Sequence, residues 1–345
     1  MAQSNHSKRV TMQDIAQATG YSINTISHAL RRKDDIAPAT AKHIRKVARE
    51  MGYTVNQLAS SLRSGRTRIL SVIIGNISNP FYGLLVDIIQ DVAATHGYKL
   101  MIMCSREDAA TELEAVKSAI ASRVDGVLLF PTADSAPTIQ RLSDASIPYV
   151  LMARCLESEA HDCVVSDDAR GACLATQHLI EKGGRRLAFL SNTNIVYSCR
   201  MRVEGFRRAC EEAGIPEADQ RICIFDEDEP ALPLPERLLN LKREGFDSLF
   251  VFCDEEAWHV LDAIQRTDGL SAADFRIASF DNLGVRLSFP VALCSVGCDY
   301  ESMALQGFSL LRSRIHGDDR PPQSIVCPMQ LVCRGSCAPD AAGKA

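Results

Sequence analysis

Two periodicities divide the chain near residue 68. Ahead of that point, apolar residues recur at helical spacing. The stretch from Thr11 to Leu30 reads as two short helices around a tight turn, with Ile15 and Ala16 facing inward on the first and Ile26, Ala29 and Leu30 on the second. Thr11 with Asp14 three residues on is a capping-box pattern, Gly20 supplies the stop, and Ser22 is placed to cap the second helix. A third helix is expected from Pro38 to Met51, ended by Gly52, although Ala37 stands where a capping hydroxyl would serve better.

After residue 68 the pattern changes to short β-branched runs alternating with amphipathic helices. Strands are expected at 69–74, 99–104, 126–130, 149–152, 163–166, 186–190, 221–225, 248–252, 276–280 and 292–296. Helices are expected between many of them, among others at 82–97, 109–123, 170–183, 202–214 and 255–266. Such alternation argues for parallel sheets covered by helices on both faces, and ten or more strands divide better between two lobes than in one sheet. The sequence therefore predicts an all-α helix-turn-helix head joined to an α/β two-lobed core with two parallel, doubly wound sheets. Ligands of such cores bind beyond the carboxyl ends of the strands, in a cleft.

Charge sharpens the division. Residues 1–68 hold 12 Lys/Arg against 4 Asp/Glu, while the rest of the chain holds 26 against 39. A basic head on an acidic body points to a polyanion partner for the head alone, with phosphate neutralisation supplying salt-dependent affinity. The 345 residues contain no long apolar run of the kind that spans a membrane, and the amino terminus lacks the apolar core of a secretory signal, so a cytoplasmic location is expected. No glycine-rich nucleotide loop and no nucleophile–base pattern is present, so no cofactor and no enzymatic activity are expected. The 13 cysteines are scattered without a Cys-x-x-Cys pair. Cys294/Cys298 and Cys333/Cys337 are four residues apart with no companion cluster evident, so packed, reduced thiols and no metal site are expected.

Six motifs in order, from Thr11 to about Ser336, resemble the lactose-repressor (LacI/GalR) family of bacterial transcription regulators. They are Asp14-Ile-Ala with Thr25-Ile-Ser; Met51-Gly-Tyr with the run from Asn56 to Thr67; Ile77-Ser-Asn-Pro-Phe; Arg123-Val-Asp-Gly; Arg202-Val-Glu-Gly-Phe; and Ser279-Phe-Asp-Asn. The resemblance implies a head at 9–55, a hinge helix and linker at 56–67, and an effector-binding and dimerisation core at 68–336. That core is like a periplasmic sugar-binding protein, with lobe 1 at about 68–166 and 297–326, and lobe 2 at about 167–296 and 327–336. A tail, 337–345, follows; it has no heptads, so it is expected to be disordered and to form no coiled coil.

The family pattern places Ile23, Asn24 and His28 at base edges in the major groove. Asn24 suits adenine, Ile23 a thymine methyl, and His28 guanine when it can donate; relatives commonly carry Arg at the last position. Ser22 and Thr25 are expected at phosphates. In the hinge, Asn56, Ala59, Leu62 and Arg63 are the expected DNA-facing positions. Leu62 holds the place of a wedge that opens a central base step from the minor groove, and the short helix is expected to form only when two copies pair on DNA. Ser60 stands where relatives often carry Arg. A homodimer and a near-palindromic operator follow from the resemblance.

For the cleft, Phe81 and Tyr82 offer aromatic faces to a sugar, Arg154 and Arg202 offer forks of donors, and Asp254 and Asp281 offer acceptors at strand ends. The two arginines suggest an acidic or phosphorylated sugar. Departures from relatives, notably Cys253 for Asn, Cys298-Asp299 for Gln-Pro and His259 for Gly, bear on which effector fits. The function expected is a repressor of carbohydrate-utilisation genes governed by a sugar-like effector. An activator or co-repressed regulator is the alternative, and a cytosolic sugar-binding protein or α/β enzyme a remote one.

Overall fold

The structure, a computed structural model, describes residues 10–30, 35–53, 65–156, 160–192, 197–225, 232–285 and 292–337. The chain separates into two compact units, Met1–Thr67 and Arg68–Ala345. In the first, helices α1 (Met12–Thr19), α2 (Ile23–Leu30) and α3 (Pro38–Glu50) enclose a small core of Ile15, Ile26, Ala29, Ala41, Ile44 and Ala48. The capping box forms as expected: Thr11 Oγ1 accepts from Asp14 N–H at 3.3 Å, and Asp14 Oδ2 accepts from Thr11 N–H at 2.7 Å. Ala37 makes no side-chain cap to α3.

In the second unit, β1 (Ile69–Ile74), β2 (Lys99–Cys104), β3 (Gly126–Leu129), β4 (Tyr149–Ala153), β5 (Cys163–Ser166) and β11 (Ser324–Cys327) form an all-parallel sheet ordered β11-β5-β4-β3-β1-β2. A second sheet is built from β6 (Leu187–Ser191), β7 (Gln220–Ile224), β8 (Ser248–Val251), β9 (Arg276–Phe280), β10 (Cys294–Cys298) and β12 (Met329–Val332). Its order is β12-β10-β9-β8-β6-β7, parallel except for the antiparallel edge strand β12. Both sheets are packed on two faces, which is why the strands read as nearly continuous apolar runs. In β1, Leu70, Val72 and Ile74 enter one core layer and Ile73 the other.

Helices α4 (Pro80–Thr95), α5 (Ala109–Ala121), α6 (Ala136–Asp144) and α11 (Tyr300–Ile315) accompany the first sheet. Helices α7 (Asp168–Glu181), α8 (Tyr197–Glu212), α9 (Leu234–Arg243) and α10 (Asp254–Arg266) accompany the second. The chain passes between sheets three times, each through one residue: Asp167 between β5 and α7, Asp299 between β10 and α11, and Pro328 between β11 and β12. Two of these residues cap the helix they open, Asp167 accepting from Arg170 N–H and Asp299 from Glu301 and Ser302 N–H. In both sheets the strand order reverses beside the first strand, so each lobe presents a topological switch point at its carboxyl edge.

Candidate DNA-reading helix and effector cleft

Local chemistry builds the start of α2. Ser22 Oγ accepts from Thr25 N–H at 3.2 Å and lies 2.9 Å from Thr25 Oγ1, so both hydroxyls are held at the helix amino terminus. Ile26, Ser27 and Ala29 turn into the head core, whereas Asn24 faces outward and Ile23 is 48% exposed. An aliphatic side chain that exposed, beside an exposed amide and at a positive helix end, suits a duplex groove better than a core. His28 Nδ1 lies 2.6 Å from Asp35 Oδ2, which fixes the ring. With Nδ1–H committed to that carboxylate, donation from Nε2 to guanine requires the imidazolium, whereas the neutral ring presents an acceptor there. Ser22, Ile23, Asn24, Thr25 and His28 thus share one short helix and its cap. Asn56, Ala59, Leu62 and Arg63, like all of residues 54–64, lie outside the described residues.

Within the second unit, a cleft with about 570 Å³ of unfilled space, part of it open to solvent, runs between the carboxyl edges of the two sheets. Lobe 1 lines it with Asn79, Phe81, Tyr82 and Arg154, and lobe 2 with Ser198, Arg202, Phe252 and Asp281. On the first side, Arg154 makes a two-pronged ion pair with Glu107 (2.6 and 3.2 Å) and donates to the Tyr82 hydroxyl at 3.1 Å, while that hydroxyl donates to Glu107 at 2.9 Å. On the second, Arg202 Nε donates to Asp168 Oδ1 at 2.8 Å, its Nη2 is 3.7 Å from Asp281 Oδ1, and its guanidinium lies 3.6 Å from the centroid of the Phe280 ring.

Burial governs the charges here. It pushes the Asp281 carboxyl up to about 7, against the pull of Arg202. It raises Asp168 against the same arginine and lifts Glu256, which accepts from Asn192 N–H, to about 8. Burial likewise drives the Tyr82 hydroxyl well above its ordinary value, so it remains a neutral donor.

Two packing features place these groups. A Cβ on Gly205, in the Arg202-Val-Glu-Gly-Phe motif, would come within 2.1 Å of Ala169 O. The missing side chain lets α8 lie close on α7, which delivers Arg202 to Asp168. Asp281 and Asn282 adopt φ of 94° and 52°, backbone that non-glycine residues rarely hold. The turn is clamped: Asp281 N–H bonds Val296 O at 2.7 Å, the Tyr300 hydroxyl bonds Asp281 O, and Arg334 bonds Asn282 Oδ1 at 2.6 Å. Gly297 permits this approach, since a Cβ there would meet Asp281 O at 2.7 Å. The clamped turn holds Asp281 in the cleft wall.

Phe81, Tyr82, Arg154, Arg202 and Asp281 therefore line one cleft, and Asp254 does not. Asp254 is buried at the start of α10. Its Oδ1 accepts from the Ser279 hydroxyl and, at 2.6 Å, from Ser295; its Oδ2 accepts from Leu283 N–H at 2.7 Å. It ties β9, β10 and α10 together and has no oxygen aimed at a ligand. Arg154 and Arg202, the two arginines behind the acidic-effector expectation, are matched by Glu107, Asp168 and Asp281. The sequence reading missed Glu107, Asp168, Phe252 and Phe280. Asp168 and Phe252 carried a usable signal, since Phe252 directly follows β8 and Asp168 opens α7 with one residue between it and β5, both on the carboxyl side.

One absence is corrected as well. Cys333 and Cys337 do have companions: the fold brings Cys294 and His178 to them from distant parts of the chain.

A three-helix head that shows polar and aliphatic side chains at one helix end, joined to a two-lobed sugar-binding-protein core with its cleft at the strand ends, defines a ligand-responsive DNA-binding regulator. The comparisons agree. The model for bacterial regulatory proteins of the lacI family matches residues 11–56. That for periplasmic binding proteins and the sugar-binding domain of the LacI family matches 67–234, and a periplasmic-binding-protein-like domain matches 176–337. The chain belongs to the LacI family of bacterial transcriptional regulators.

Among its relatives is the HTH-type transcriptional regulator DegA of Bacillus subtilis, 28% identical over 335 residues, 96% of this chain and 99% of that protein. Among solved structures, the lac repressor dimer bound to operator and an anti-inducer superposes with a TM-score of 0.81 at 19% identity, covering 96% of this chain and all of the other. The regulator CelR in complex with cellobiose gives 0.67 at 24%, covering 95% and 100%. Among the described residues, no helix is long and apolar enough to cross a membrane.

Proposed function

We propose that this regulator acts in the cytoplasm as a homodimeric repressor of carbohydrate-utilisation genes, and that a neutral sugar bridging the two lobes alters its grip on a near-palindromic operator. The observation that carries the reading is the cleft, where paired donors and acceptors face one another across two aromatic-lined walls. Arg154, Glu107 and the Tyr82 hydroxyl form one wall; Arg202 and Asp281 form the other. Compensated charge with hydroxyl-sized partners suits a polyol, whereas a carboxylate or phosphate would meet Asp281 and Glu107 as like charges. The solved complex of CelR with cellobiose is consistent with this class of ligand. Dimerisation is supported by the edge strand β2, where Leu100, Met101 and Met103 are only half-buried and Ile102 is 41% exposed, an apolar edge that a second copy would cover.

On the DNA side, Ile23, Asn24 and His28 read bases from the major groove, Ser22 and Thr25 hold phosphates, and Asn56, Ala59, Leu62 and Arg63 complete the contact through the hinge. Leu62→Ala tests the wedge: operator affinity should fall, and unchanged affinity would refute that role. The cleft does no chemistry in this reading, so no sugar is turned over. Calorimetry with neutral sugars, sugar acids and sugar phosphates tests the whole effector assignment. Binding confined to neutral sugars is expected; binding confined to charged ones overturns it.

A further inference from the structure

Away from the head and the cleft, lobe 2 gathers a second set of ligating side chains. His178 stands in the last turn of α7, Cys294 opens β10, and Cys333 and Cys337 bound the turn that follows β12. One imidazole nitrogen and three sulfurs lie within 4.8 Å of one another. The sulfurs form a nearly equilateral triangle, with Cys294–Cys333 at 3.4 Å, Cys294–Cys337 at 3.3 Å and Cys333–Cys337 at 3.5 Å. His178 Nε2 is 3.0 Å from Cys337 Sγ. A tetrahedral zinc-type ion, with bonds of about 2.3 Å to sulfur and 2.0–2.1 Å to nitrogen, needs sulfurs about 3.8 Å apart and nitrogen about 3.6 Å from sulfur. The three sulfurs need only a few tenths of an ångström of outward movement to reach that spacing, and the His178 ring, already beside Cys337, completes the set by centring its nitrogen over the sulfur triangle.

Ordinary core packing gives no reason for this convergence. Thiols are weak hydrogen-bond donors, and three of them gain little by meeting an imidazole in an otherwise apolar layer. The surroundings suit thiolate. Cys294 Sγ accepts backbone N–H groups from Arg334 at 3.2 Å and Gly335 at 3.3 Å, as a charged sulfur beside a cation would. The turn is held from outside as well: Ser336 Oγ accepts from Cys294 N–H and donates to Ile277 O, each at 2.7 Å. His178, Cys294 and Cys337 are buried, and Cys333 is exposed, which leaves a path for the ion.

We propose that His178, Cys294, Cys333 and Cys337 bind one zinc-type divalent cation in a tetrahedral Cys3His site that fastens β12 and the turn after it to the rest of lobe 2. Four protein ligands close the coordination sphere, so the ion is structural, with no open position for substrate. Three thiolates select zinc over magnesium or calcium, which take oxygen ligands. The segment it secures is β12, an antiparallel edge strand entered through the third passage between lobes, whose first residue, Met329, lines the cleft. The ion thus fixes one wall of the effector site without touching the effector. The proposal does not depend on which sugar, if any, binds there.

The full chain, purified with reductant and without chelator, is analysed for metal by plasma mass spectrometry and, after exchange into cobalt(II), by absorption spectroscopy. About one zinc per chain is expected, as in other closed Cys3His sites, together with thiolate-to-cobalt charge-transfer bands and the intense visible bands of tetrahedral cobalt. Cys333→Ser alters an exposed side chain and should leave the fold intact while weakening zinc by roughly tenfold or more. Adding His178→Gln should abolish binding. Wild-type protein that takes up no zinc in excess of the double variant overturns the proposal. So does a cobalt spectrum without thiolate bands, or a Cys333–Cys337 disulfide as the form isolated under reductant; the cobalt readout needs no variant to fold.

Discussion

Asp281 and Asp254 occupy the same kind of sequence position, just beyond a strand, yet do different work. Asp281 sits in a left-handed turn beside Arg202 and opens onto the cleft, whereas Asp254 enters a helix and is spent on Ser279, Ser295 and Leu283. Nothing in the linear pattern says that those two serines face one point, so their separation could not be read in advance. Glu107 was hidden for a similar reason: it reaches Arg154 from 47 residues away.

The distinction is testable. Asp254→Ala strands three buried donors and should cost about 3 kcal/mol of stability in denaturant titration; a loss under about 0.5 kcal/mol contradicts its assigned role. Asp281→Asn keeps the shape but removes the charged acceptor, and should weaken the sugar roughly tenfold, the worth of one charge-assisted bond. Because burial lifts the Asp281 carboxyl to about 7, its acceptor form gains population as pH rises through 7. Sugar affinity in the wild type should increase across that range and become flat in Asp281→Asn. The stability contribution has the opposite sense. The folded state binds this proton more tightly than the unfolded chain, so stability falls as pH climbs from about 4 to about 7 and levels off above.

At the scale of elements, periodicity carried far. Strands β1, β2, β5 and β9 begin and end where the alternation of apolar runs places them, the capping box located α1, and Pro38 with Gly52 located α3. The expectation lost ground at the carboxyl terminus. Strands β11 and β12 are four residues each with one buried residue apiece, Cys327 and Met329, so no apolar run announces them, and they are placed by pairing with β5 and β10, more than a hundred and about thirty residues upstream. The metal-type cluster went unseen for the same reason, because its four ligands meet only after β12 docks.

Two elements are open to direct test. Gly205→Ala drives a methyl onto the α7 backbone and should destabilise the core by about 1–3 kcal/mol, as overpacking does, while shifting Arg202 away from Asp168. Melting with an unchanged midpoint counts against the close helix contact. In α2, Asn24→Ala should cost about 1–3 kcal/mol at one base pair of the operator, seen as relaxed preference at that position in selection from random duplexes; a uniform loss at all positions would make Asn24 a backbone contact instead.

The whole molecule is polarised by charge and by task. The basic head carries the sequence features of a groove reader, and the acidic remainder holds the cleft. Operator affinity should therefore fall steeply with salt, in proportion to the phosphates the head neutralises, whereas sugar affinity should hardly respond. Regulation requires that the two be linked. Linkage is reciprocal: a sugar that changes operator affinity by a given factor must have its own affinity changed by operator to the same extent, typically between about 5-fold and 150-fold.

The most direct measurement is that cycle. Operator selected from random duplex DNA is titrated with the purified protein at fixed salt, with and without the sugar found by calorimetry, and the sugar is titrated with and without operator. Equal coupling factors in the two directions, lost together in Asp281→Asn at pH 7.5, are the expected result, that pH being chosen as about half a unit above the Asp281 midpoint. A sugar that binds the cleft tightly and leaves operator affinity unchanged contradicts the account.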